Sequence, residues 1–163
     1  MKFFNTTGPC HSELHYMLPS EPRLPNVRGL VERGQYFVLH APRQTGKTTT
    51  LNELATALTT EGRYAAIRFS CETGETAGDD APWAEENVLD AIRDAAQDAL
   101  PPDCQPPDSW PDSKPGRTLR AGLKEWADRC PRPLVLFFDE IDALRGLTKA
   151  ESPAGRVITL LRA

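Results

Sequence analysis

Apolar residues recur along this chain at two spacings, and the spacing switches several times. Tyr36-Phe37-Val38-Leu39-His40 is a short continuous run, as are residues 64–69 and Leu134-Val135-Leu136-Phe137-Phe138. Runs of this length suit strands buried on both faces. Between them the period is helical. Val27, Leu30 and Val31 predict a short helix that Gly34 would stop. Leu51, Leu54, Ala55 and Leu58 share one face of a second helix, ended by Glu61-Gly62. Val88, Leu89, Ile92, Ala95, Ala96 and Ala99 mark a third helix. Leu119, Leu123, Trp126 and Ala127 mark a fourth, closed by Pro131 and Pro133. Residues 157–161 read as part of a further helix. Strand and helix patterns alternate, which predicts an α/β fold of three layers, a parallel sheet with helices on both faces.

The polar segments divide the pattern. A Pro-punctuated lead-in occupies residues 1–34, and the α/β core occupies 35–163. Residues 72–84, with Gly74, Gly78 and Pro82, read as a loop. Residues 101–116 are rich in Pro and Asp and read as a loop unable to pack a core.

Composition narrows the picture. A chain of 163 residues suggests one domain. No apolar run approaches the roughly 20 residues of a membrane span, and the N-terminus lacks the apolar stretch of a signal peptide. Cys10, Cys71, Cys104 and Cys130 are widely spaced, so reduced thiols in a cytoplasmic protein are the expectation. Cys10, His11 and His15 lack a fourth ligand and fit no common zinc spacing. The net charge is −4, and residues 72–112 carry twelve acidic side chains against one basic. That stretch would repel a phosphate backbone, and no Lys/Arg cluster marks a nucleic-acid surface.

Two stretches carry candidate chemistry. The first, Ala41-Pro42-Arg43-Gln44-Thr45-Gly46-Lys47-Thr48-Thr49, lies between an expected strand and an expected helix. It matches G-x-x-x-x-G-K-[ST] except that Ala41 stands at the first glycine. Inward-turned backbone N–H groups and a helix N-terminus would cradle a polyphosphate. Gly46 permits close backbone approach, Lys47 would bridge the β- and γ-phosphates, and the Thr48 hydroxyl would hold Mg2+. Arg43 reads equally as a phosphate contact and as a solvated loop arginine. The second stretch ends the last apolar run in Asp139-Glu140. At the carboxyl end of a parallel strand, Asp139 would orient Mg2+ and Glu140 would polarise the attacking water. Asp142 could serve instead as a helix N-cap.

Residues 36–48 resemble the phosphate loop of prokaryotic AAA-like ATPases, related to the AAA+ and STAND groups, many of which carry alanine where Ala41 stands. Residues 134–142 resemble their Walker B motif. Phe3-Phe4-Asn5-Thr6-Thr7-Gly8-Pro9 through Tyr16-Met17-Leu18-Pro19 resembles the lead-in that packs near the nucleotide base. The resemblance implies ATP or ADP as ligand, Mg2+ as cofactor and ATP hydrolysis. It implies as partners a homo-oligomer or a fused effector domain in a longer parent. It also implies a polar sensor on an inner strand, a lid and often an arginine finger from a neighbour. The chain stops at Ala163 without them, which predicts a fragment with an incomplete sheet, open strand edges and little turnover alone. Two other readings fit the same loop. One is a small-molecule or nucleotide kinase, which the Asp139-Glu140 pair disfavours, since water activation is what that pair suits. The other is a non-enzymatic ATP-binding or interaction fragment.

Overall fold

A computed structural model describes residues 2–6, 10, 13–17, 24, 26–40, 42, 45–73, 80–144 and 159–161. The elements run α1 (Val27–Glu32), α2 (Lys47–Thr60), β1 (Ala65–Ser70), α3 (Ala81–Ala99), α4 (Thr118–Arg129), β2 (Leu134–Asp139) and β3 (Thr159–Leu161). Two 3-10 turns, Pro102–Cys104 and Ile141–Ala143, follow α3 and β2. The fold is α/β. β1 and β2 pair in parallel, with Ala65 opposite Leu134 and Ser70 opposite Asp139. β3 adds to β2 antiparallel, with Leu134 opposite Leu161 and Leu136 opposite Thr159.

Side-chain alternation along the strands assigns each helix its layer. Ala66, Val135 and Phe137 pack with Val27 and Val31 of α1 and with Leu51, Leu54, Ala55 and Leu58 of α2. Ala65, Ile67, Phe69, Leu134, Leu136 and Phe138 point the other way, against Val88, Ile92 and Ala96 of α3 and Leu123 and Trp126 of α4. A strand with a helix on each face needs apolar residues at every position, and every residue of β2 is buried. The outer edge of β1 is closed locally. Thr59 Oγ1 donates to the Ala66 carbonyl at 3.0 Å and accepts from the Ala66 N–H at 2.9 Å. This blunts an edge that could otherwise pair with another chain.

Several expectations need correction. Residues 36–40 form no ladder strand among the described residues; Phe37 makes an isolated bridge. Tyr36 and Val38 are exposed, while Phe37 and Leu39 pack on the α2 face of the sheet. The run is therefore covered on one side only, and the apolar residues at alternate positions meet solvent. Residues 159–161 are strand, not helix: three residues bond to the edge of β2, whereas a helix needs several turns to bury a face. That pairing also covers the 134–136 edge of β2, which was expected to stand open, and makes the sheet mixed.

The third correction concerns residues 101–116, which do pack. Cys104 is fully buried and Trp110 sits against the α3/α4 core. Trp126 Nε1 donates to the Cys104 carbonyl at 3.0 Å, pinning the turn from below. The fourth is the start of α3, which begins at Ala81, inside the expected loop. Asp80 caps it by accepting from the Trp83 N–H at 3.1 Å, and Pro82 lies in its first turn. Ala99, expected on the apolar face, is exposed.

Candidate functional site

α2 starts at Lys47 because Gly46 supplies the left-handed residue before it, at φ 78° and ψ 24°. Most side chains resist that conformation, and glycine does not. The Gly46 carbonyl accepts the first helical bond from the Thr50 N–H at 2.9 Å. Ahead of the helix, the Pro42 carbonyl collects two donors, Thr45 Oγ1 at 2.9 Å and Lys47 Nζ at 2.7 Å. Thr49 Oγ1 accepts from the Cys10 N–H at 3.2 Å, which ties the lead-in to the first turn of α2. Ala41, Arg43 and Gln44 lie outside the described residues.

Thr48 faces the sheet. Its Oγ1 donates to Asp139 Oδ2 at 2.7 Å across 91 residues of sequence. Asp139 is the last residue of β2 and is 3% exposed. Its carbonyl accepts from the Cys71 N–H at 2.9 Å, which extends the β1–β2 ladder past the strand ends. Glu140 then leaves the sheet at φ 56° and ψ 38°. A non-glycine residue there costs roughly 1 kcal/mol. Ser70 Oγ donates to Glu140 Oε2 at 2.9 Å. Asp142 lies within the 3-10 turn Ile141–Ala143, whose N-cap position is Glu140.

The structure thus brings Thr48 and Asp139 into contact and sets Glu140 beside them. It places Lys47 on the loop it follows. Sequence reasoning missed Arg68, Asn52 and Ser70. Arg68 lies on the same face of β1 as Ala66 and Ser70. Its Nη1 is 3.6 Å from Asp139 Oδ2, and its Nε donates to Asn52 Oδ1 at 2.9 Å. A signal for it was available: a charged residue inside the run Ala65-Ala66-Ile67-Arg68-Phe69.

The donor set suits a hard cation better than a soft one. One hydroxyl and one buried carboxylate are hard oxygen donors. Mg2+ keeps several waters and takes one or two protein oxygens together with phosphate. Among the described residues no group of three or more His, Cys, Asp or Glu side chains gathers as for a zinc site, and no helix is long and apolar enough to cross a membrane. No protein-family model, curated protein or solved structure matches this chain.

Proposed function

We propose that this chain binds a nucleoside triphosphate, ATP, with Mg2+, as an AAA-like P-loop ATPase module. The observation that carries the reading is the 2.7 Å bond from Thr48 to Asp139. It joins the start of a helix that follows a G-K-T loop to the acidic end of a buried parallel strand. Those are the two groups that hold a metal ion in P-loop enzymes.

In this reading the chain's residues divide the work. Gly46 and the start of α2 would turn backbone N–H groups and a helix dipole toward the phosphates. Lys47 carries the ammonium that contacts the β- and γ-phosphates, exchanging its bond to the Pro42 carbonyl for them. Thr48 and Asp139 hold Mg2+, whose chemistry is to neutralise charge on the phosphate oxygens. Glu140 accepts a proton from the attacking water, and Ser70 orients the carboxylate through the 2.9 Å bond. Gly46 and Thr49 shape the first turn.

Titration calorimetry with ATP and Mg2+ tests the binding. Lys47→Ala should weaken affinity by about tenfold to a hundredfold, the size of one charge-assisted phosphate contact. Equal affinity in both proteins would sink the reading. Wherever wild-type turnover is measurable, Glu140→Gln should retain ATP affinity and lose phosphate release.

A further inference from the structure

We propose that Arg68 is a positioning residue of the phosphate site: a tethered guanidinium that holds Asp139 beside Thr48 and supplies positive charge there, so that nucleotide binding leans less on the divalent cation. The inference rests on the nucleotide reading above and adds to it a residue on a different element.

Arg68 stands in the middle of β1. It interrupts an apolar strand, opposite Phe137 in the parallel register. Its side chain is 21% exposed. Placing a guanidinium there carries a desolvation cost that only a specific partner offsets. Two partners are present. Asn52 on α2 accepts from Nε at 2.9 Å and fixes the plane of the head group. Asp139 Oδ2 lies 3.6 Å from Nη1. Asn52 follows Thr48 by four residues on α2, so one face of that helix reaches Asp139 twice, directly through Thr48 and indirectly through Arg68.

The distances differ in a telling way. The Thr48 hydroxyl is in full hydrogen-bond contact with Oδ2 at 2.7 Å, but it is a neutral donor. Arg68 brings the opposite charge without a close two-pronged bond. At 3.6 Å it orients and neutralises the carboxylate while leaving it able to ligate. A cation fixed at this place also raises the potential felt by a polyphosphate before any metal arrives. Mg2+ and Arg68 therefore compete electrostatically for the same carboxylate. Removing Arg68 should make metal-free binding weaker and metal-assisted binding relatively stronger.

The measurement is the ATP dissociation constant in EDTA divided by that in saturating Mg2+, for wild type and three variants. Arg68→Met keeps the length and removes the charge, and the ratio should rise about tenfold. Asn52→Ala keeps the charge and loosens the tether, and the ratio should rise by about threefold. Arg68→Lys keeps the charge but loses the Nε–H that Asn52 accepts, so the ratio should rise by about threefold, as in Asn52→Ala, and not by the tenfold of Arg68→Met. If Arg68→Met does not fold, as judged by its melting curve, Asn52→Ala and Arg68→Lys carry the test. A guanidinium serving only to pair a buried carboxylate would lower stability in Arg68→Met and leave every ratio unchanged, and that result overturns the proposal. Wild type that binds ATP in neither condition overturns the nucleotide reading itself, and this inference with it.

Discussion

Asp139 is the most constrained side chain of the candidate site. It is almost fully buried and accepts from Thr48 at 2.7 Å. Thr48→Val keeps the shape and removes the donor. The buried carboxylate would then lose one hydrogen bond, and stability measured in urea should fall by about 1–3 kcal/mol; Thr48→Ser should restore most of it. Thr48 and Asp139 were both legible in the sequence, because a loop ending in Gly-Lys-Thr and a strand ending in Asp-Glu are local patterns. Arg68 showed only as a charge inside an apolar run, and Ser70 not at all. Their contacts with Asp139 and Glu140 depend on β1 lying parallel to β2 with Ser70 opposite Asp139, and register between distant strands leaves no local trace. A different residue governs alkaline behaviour. Cys104 is 0% exposed, and its thiol is pushed up from 9.0 to about 12. Burial is the largest cause, followed by the charge and hydrogen bond of Cys130 and the charge of Asp103, with Arg132 opposing. The folded state therefore holds this proton more tightly than the unfolded chain. Its contribution to stability is complete below pH 9 and is lost as pH rises from about 9 to about 12. Denaturation midpoints across that window should fall in wild type, and fall less steeply in Cys104→Ala.

α3 and α4 are joined by a side chain that ends one on the other. α4 has no side-chain cap from its own N-cap residue, Arg117. Glu85 of α3, 6% exposed, supplies one instead, with Oε2 accepting from the Thr118 N–H at 3.0 Å. Glu85→Ala should cost about 1–2 kcal/mol, while Glu85→Gln keeps an acceptor and should cost less. The same two helices meet Trp110 at Gly122. A Cβ there would lie 2.9 Å from Trp110 Cε3 and 3.1 Å from Leu89 Cδ2. Despite the gain in helix propensity, Gly122→Ala should destabilise by roughly 1–3 kcal/mol, because the half-buried indole packed on the α3/α4 core and the Leu89 side chain would both have to shift. An unchanged denaturation midpoint would mean that the 101–116 segment yields easily. That segment is where the sequence misled. Proline and aspartate density reads as loop, and it is a loop. Density of turn residues says nothing about whether a single Trp and a single Cys anchor it. The four long amphipathic or apolar stretches that became α2, α3, α4 and β2 were legible because each repeats one period for several turns or fills a strand. Residues 36–40 and 159–161 were not, since five and three residues carry too few periods to separate strand from alternative.

The whole molecule is a thin sheet between two separate apolar clusters. One is built on α1 and α2 and the other on α3 and α4. The candidate site lies on the α2 side, at the strand ends, where the first cluster gives way to Thr48, Arg68 and Asp139. Its parts come from α2, β1 and β2, so unfolding of either cluster takes the site apart. A ligand that needs all of them binds the folded state and not the unfolded chain. At about 100 times its dissociation constant such a ligand adds about 2.7 kcal/mol. For a chain of this size that raises the melting temperature by roughly 5–10 °C. Thermal melts with increasing MgATP should show this rise. In Lys47→Ala at the same concentrations the rise should be about half of this or less, because a tenfold to hundredfold weaker dissociation constant leaves about 0.4–1.4 kcal/mol of the stabilisation. The rise is read for each protein against its own melt without nucleotide, so that any change in the fold's own stability is subtracted. A melt that is flat for wild type up to millimolar MgATP would separate the two halves of the case. The α/β arrangement would stand, and the polyphosphate ligand would not.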